Sequence, residues 1–141
     1  MLWQGGKREP FKNYFPLPNE IFSLKLSPGA LAVYSYLLYC EDRKTYQCYP
    51  SYTSIGKSVN MSVNTVRKYV VELEERGLVV TEPTSVVTSD GRKRNGSLRY
   101  TILPIQNAVD LHNQRQLRRL EETTERMRVT RKLEANREHP A

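Results

Sequence analysis

The sequence predicts an α+β fold: three helices, the last two joined by a tight turn, followed by a β-hairpin and a long C-terminal helix. Three observations predict it. Residues 51–78 hold two apolar helical patterns separated by a short break at Val59-Asn60-Met61. Two β-branched runs, LVVTEP from Leu78 and LRYTIL from Leu98, flank a turn-rich basic loop. From Asn107 onward the chain is rich in helix formers and free of proline until Pro140.

In chain order, residues 1–14 combine Gly-Gly, Lys-Arg and Pro without apolar periodicity and read as a flexible arm. Trp3 is its one large anchor, and Lys7, Arg8 and Lys12 could touch an anionic surface. From Tyr14, YFPLPNEIFSLKLS reads as an extended apolar segment packed across the first helix, because two prolines exclude a helix at its start. Ser27 as cap and Pro28 as first residue open that helix, with Leu31, Tyr34, Leu37 and Leu38 on its buried face. In the polar connection that follows, Tyr46 to Tyr49 can form a short strand against the later hairpin. Cys40 and Cys48 lack the spacing of a metal-binding pair and read as small buried residues.

The second helix places Ile55 and Val59 on one face, and Gly56 permits a neighbouring helix to come close. Asn60 tolerates the left-handed conformation needed just past a helix end. Ser62 caps the third helix, Val63, Val66, Val70 and Leu73 form its buried stripe, and Gly77 closes it. Asn64, Thr65, Arg67, Lys68 and Val71 fall off that stripe. Asn pairs with adenine, Arg with guanine, and Thr or Lys with phosphates or base edges, so the opening turns of this helix are suited to the major groove.

Between the two strands, Asp90-Gly91 and Asn95-Gly96 are turn signals on either side of Arg92, Lys93 and Arg94. Three cations at a hairpin tip suit a phosphate backbone or an adjacent minor groove.

The run MSVNTVRKYVVELEERGLV resembles the winged helix-turn-helix domains of bacterial and phage regulators. PLPNEIFSLKLSPGALAVYSYLLYC is similar to the lead-in of such domains on mobile elements and plasmids, some of which are the DNA-binding parts of replication initiators. The resemblance covers residues 15–105. It implies a three-helix core with a β-hairpin wing, the helix from Ser62 to Arg76 in the major groove, and double-stranded DNA as partner. The expected DNA-contacting residues are Ser62, Asn64, Thr65, Arg67, Lys68, Arg92, Lys93 and Arg94. A transcriptional regulator is the first functional expectation, and a replication or transfer factor of a plasmid or integrative element is its close variant. A protein-interaction adaptor on the same scaffold is the reading of another class, and it would not need Arg67, Lys68 and the wing cations together.

Composition agrees: the net charge is +7 and the pI about 9.5, which favours an anionic partner. No apolar run approaches a membrane span and the N-terminus lacks the apolar core of a secretion signal, so a cytoplasmic protein associated with the nucleoid or a plasmid is expected. There is no phosphate-cradling glycine loop, no H-E-x-x-H, and no Cys/His neighbourhood of the catalytic sort. No enzyme activity, metal or cofactor is therefore expected. Residues 106–141 read as a charged helical tail in which Leu117, Leu120, Thr124 and Met127 follow three-four spacing, a short seam for a homodimer. Because the core stripes and the reading surface precede it, a chain ended after Gln106 is expected to stay folded.

Overall fold

The computed structural model describes residues 4–9 and 12–138; Trp3 and His139 lie outside them. The helical core comprises α1 (Pro28–Cys40), α2 (Tyr52–Val59) and α3 (Val63–Glu75), packed on one another. The structure has five short strands: β1 (Gln47–Cys48), β2 (Val79–Glu82) and β5 (Arg99–Ile102) are those expected, whereas β3 (Ser85–Val87) and β4 (Lys93–Asn95) form within the segment expected to be a loop. A single helix, α4 (Ile105–Glu138), completes the chain. The result is a winged helix-turn-helix, with β2 to β5 as the wing.

Capping fixes the helix starts. The Ser27 hydroxyl accepts the Ala30 N–H, Ser51 accepts from Ser54, and Ser62 accepts from Thr65. Asn60 has φ 59° and ψ 53°, so the turn between α2 and α3 adopts the left-handed state expected of it. Gly56 is needed here for the turn rather than for a neighbouring helix: a side chain at this position would collide with the Met61 carbonyl oxygen. Gly77, at φ 74°, ends α3. Its N–H bonds the Glu74 carbonyl while the Leu78 N–H bonds that of Leu73, the paired closure of a Schellman motif.

The core joins Tyr34 and Leu37 of α1, Ile55 of α2, Val66, Val70 and Leu73 of α3, and Leu78, Tyr100 and Ile102 of the sheet. Val63 departs from the predicted stripe and is 37% exposed. As the first helical residue it precedes the turn that meets α1, and it faces a cleft beside the wing. Leu31 is only partly buried, since Ala30 and Val33 occupy the centre of that helix face.

The segment before α1 is also different. Asn19–Leu24 forms a 3-10 helix that buries Ile21 and Leu24 and packs against α4. Pro16 and Pro18 precede this helix, and the Pro18 carbonyl accepts its first bond from Ile21, so the prolines do not obstruct it.

β1, β5 and β2 form an antiparallel sheet in that order, with Cys48 opposite Tyr100 and Thr81 opposite Tyr100 on the other side. β3 and β4 extend the hairpin beyond it. Between the Glu82–Arg99 and Ser85–Asn95 pairs, residues 83–84 on one strand oppose residues 96–98 on the other. The extra residue is a β-bulge, which bends and twists the outer ribbon.

The tail does not begin outside the domain. Ala108 is buried in the core, with Ile105 and Val109 packed beside it. Further along, the Arg76 guanidinium donates to the Leu24 carbonyl and meets His112 Nδ1 at 3.3 Å, and Arg115 donates to the Glu75 carbonyl at 3.0 Å. A boundary at residue 106 thus falls inside a docked helix, and the expectation that the chain ended there stays folded loses its basis. From Leu117 onward α4 is exposed through Glu138.

Candidate nucleic-acid interface

The first two turns of α3 are held by bonds that leave their outer side chains free. Ser62 Oγ lies 2.9 Å from Thr65 Oγ1 and accepts the Thr65 N–H at 3.2 Å. Both hydroxyls are therefore engaged in shaping the start of the helix, and Thr65 is half-buried. Asn64, Arg67 and Lys68 are exposed. Helical spacing puts Asn64, Lys68 and Val71 opposite Val66, Val70 and Leu73, with Arg67 on the flank.

Arg67 has two supports. Its Nη1 lies 3.5 Å from Asn64 Oδ1, and its guanidinium sits 5.5 Å from the centroid of the Tyr52 ring. Stacking on an aromatic face restricts a long side chain without consuming its hydrogen-bonding fork. Lys68 Nζ lies 5.4 Å from the Tyr69 ring centroid in a similar way. Sequence periodicity could not reveal Tyr52, because it belongs to another helix. Lys57 of α2 was likewise missed; it lines a shallow recess with Asn60, Met61 and Ser62, next to the start of α3. A basic residue at the end of a helix preceding a potential reading helix is the signal that was available.

Charge along α3 is polar. Arg67 and Lys68 occupy its first half, while Glu72, Glu74 and Glu75 occupy its second. Together with the positive end of the helix dipole, this confines favourable contact with an anion to the N-terminal turns.

The wing cations are arranged differently from the expected cluster at a tip. The tip is the turn from Thr88 to Arg92, closed by the Thr88 N–H on the Arg92 carbonyl. Lys93 and Arg94 lie within β4, opposite Val87 and Val86, and so point to opposite faces of the ribbon. Asn95-Gly96 contributes to the bulge rather than a turn: Gly96 donates to the Thr84 carbonyl at 2.8 Å. At the tip, Asp90 Oδ2 stands 3.9 Å from Arg92 Nε. A hydrogen bond from the Thr88 hydroxyl, then one from the Arg92 backbone, hold the Asp90 carboxyl below its ordinary range, so it is ionised at neutral pH and offsets part of the Arg92 charge.

A cleft of ≈ 400 Å³ separates the wing from the helices; Ser51, Tyr52, Thr53 and Val63 form one wall and Asn95 to Leu98 the other. The starts of α2 and α3 and the bulged strand thus border the same opening.

Among the described residues, no group of His, Cys, Asp and Glu is placed to hold a metal ion, and no helix is long and apolar enough to cross a membrane. Of the arm cations, Lys12 pairs with Glu9 at 3.3 Å, and Lys7 and Arg8 are exposed.

Residues 24–79 match the family model described as a helix-turn-helix domain, a span that runs from the end of the 3-10 helix through α3 into β2. No curated protein matches the chain. Among solved structures, the chain is similar to a "possible transcriptional regulator" from Methanosarcina mazei Go1, at 21% identity and TM-score 0.49, over 74% of this chain and 82% of that one. It is similar to a MarR family transcription regulator at 14% identity and TM-score 0.42, over 82% and 70% of the two chains. A "probable transcriptional regulator" from Pseudomonas aeruginosa follows at 22% identity and TM-score 0.35, over 76% and 78%.

Proposed function

We propose that this protein binds double-stranded DNA sequence-specifically and regulates transcription, with α3 in the major groove and the wing on the neighbouring backbone or minor groove. The observation that carries this reading is the exposed set Asn64, Arg67 and Lys68 on the first two turns of a capped helix whose opposite face is core. Asn and Arg supply the bidentate groups that distinguish adenine and guanine. Val71, 47% exposed on the same face, offers an apolar contact for a thymine methyl. Ser62 and Thr65 shape the helix start and hold the neighbouring side chains in place, while Lys57, Arg92 and one of Lys93 or Arg94 supply phosphate contacts. The match of residues 24–79 to a helix-turn-helix domain supports the reading, as does the net charge of +7.

The proposal includes a homodimer. Leu117, Leu120 and Met127 are 60%, 65% and 57% exposed, and with Thr124 they follow one another along α4 beyond its docked segment. A short apolar seam there would join two domains for a two-fold symmetric site.

Selection of bound duplexes from a randomised pool tests the function. The expected result is an enriched sequence with two related half-sites; a pool that stays random at moderate salt would contradict sequence-specific binding, and a single enriched half-site with a monomer in sedimentation would remove the dimer.

A further inference from the structure

Between the C-terminal end of α1 and the root of α4 lies a cavity of ≈ 370 Å³, walled by Tyr34, Leu38, Tyr46, Ile102 and Ile105, with Glu41 at its polar edge. The size and mainly apolar lining are those of a site for a small organic molecule. Its distinguishing feature is the carboxylate. Glu41 is half-buried at this edge: its Oε2 is enclosed by protein with no hydrogen-bond partner, although buried polar atoms in folded proteins are nearly always bonded, which leaves the other oxygen as the one a ligand can reach.

The local structure works against that carboxylate in three ways. Burial pushes the Glu41 carboxyl up, with Arg43 opposing only in part, and no cation among the described residues forms an ion pair with it. Glu41 is also the C-terminal cap of α1, its N–H bonded to the Leu37 carbonyl, so it stands at the negative end of the helix dipole. The Tyr34 ring beside it is apolar except for its hydroxyl, which is itself pushed up to about 12 by burial and then by Glu41. A sequence shaped for stability alone would place an amide or a cation here. A negative group, a negative helix end and aromatic rings around an apolar space together complement one kind of ligand.

We propose that this cavity binds a small organic cation, a primary ammonium carried on a compact apolar body. The ammonium lies against the reachable oxygen of Glu41, at the negative end of α1, and the apolar part fills the space between Leu38, Ile102 and Ile105. None of these groups is among the side chains of α3 or the outer ribbon proposed to touch DNA, so the site stands or falls separately from DNA binding.

Titration of the full chain with phenethylamine, followed by amide-resolved NMR, tests the proposal, with phenethyl alcohol and phenylacetate as comparators of the same body. The amine should give saturable shifts at Tyr34, Leu38, Tyr46 and Ile105. The alcohol should bind about tenfold or more weakly, and phenylacetate should not saturate. Glu41→Gln keeps the shape and removes the charge; it should weaken the amine about tenfold or more while unfolding at the same or higher denaturant concentration than wild type. Absence of saturable shifts with the amine, equal binding of phenylacetate, or unchanged amine affinity in Glu41→Gln would each overturn the site. A Glu41→Gln chain that fails to fold would overturn it too, by showing that the carboxylate has a structural partner.

Discussion

Glu72→Ala should destabilise the fold by about 2 to 3 kcal/mol through the start of α1, a helix remote from it in sequence. Glu72 Oε2 accepts the Ser27 N–H at 3.1 Å, and the Ser27 hydroxyl donates to the two carboxylate oxygens at 2.8 and 3.0 Å. That hydroxyl simultaneously accepts the Ala30 N–H at 3.3 Å. One side chain of α3 thereby completes the cap of α1 and sets a negative charge at its positive end. Two donors face a charged acceptor, each such bond contributing about 1.5 to 3 kcal/mol when shielded. Charge at a helix N-terminus adds about 0.3 to 1 kcal/mol. The site is half-buried, so water recovers part of the sum and the total settles near 2 to 3 kcal/mol rather than at the upper bound. Urea unfolding of the two proteins measures it, with Glu72→Gln as the control that keeps one acceptor and should lose about half as much. A Glu72→Ala midpoint equal to wild type at unchanged slope would refute the cross-helix cap.

Other perturbations separate the remaining parts of the account. Ending the chain after Gln106 should cost about 3 to 5 kcal/mol, because Ala108, Val109 and the Arg76 and Arg115 latches are lost, whereas ending it after Arg119 should cost under about 1 kcal/mol; equal unfolding midpoints would contradict the docking of α4. Replacing Arg92, Lys93 and Arg94 together by Ala should weaken binding to all duplexes and reduce the slope of log affinity against log salt by about 1 to 2, not 3, since Lys93 and Arg94 face opposite ways and Asp90 offsets Arg92. An unchanged slope would mean that the wing is merely solvated. Burial pushes the Cys48 thiol up to about 12, so at pH 8 it stays protonated, and a thiol reagent should modify Cys40 first; faster labelling of Cys48 would contradict its placement.

The turn of the motif was legible in the sequence because its determinants are local. Asn60 at a left-handed position, Ser62 as cap and Gly77 as closing residue each act within a few residues of themselves. The strands β1, β2 and β5 were legible from their own composition, and β1 does pair with the later hairpin, whereas β3 and β4 lie in what reads as a loop. What periodicity could not supply was tertiary. Val63 keeps the spacing of the stripe but falls at the helix start, beyond the reach of α1. Glu72 looks like one more solvated acid and is instead a cap for another helix. Asn95-Gly96 has the composition of a tight turn, yet strand pairing on both sides converts it to a bulge and moves the tip to Thr88–Arg92. In α4 the uniform helix propensity hides where docking ends, which depends on Ala108 entering the core and Arg115 reaching the Glu75 carbonyl of α3. The support of Arg67 by Tyr52 is another contact between helices that no spacing rule reports.

The central claim is that the first two turns of α3 read base pairs. Its most direct measurement compares wild type, Asn64→Ala and Arg67→Ala for binding to the selected duplex and to random duplex, with folding checked by urea unfolding. Each variant should lose about 1 to 3 kcal/mol on the selected duplex, lose much less on random duplex, and relax the preference at one position of each half-site. Unchanged base preference in both variants, with the fold intact, would contradict the claim.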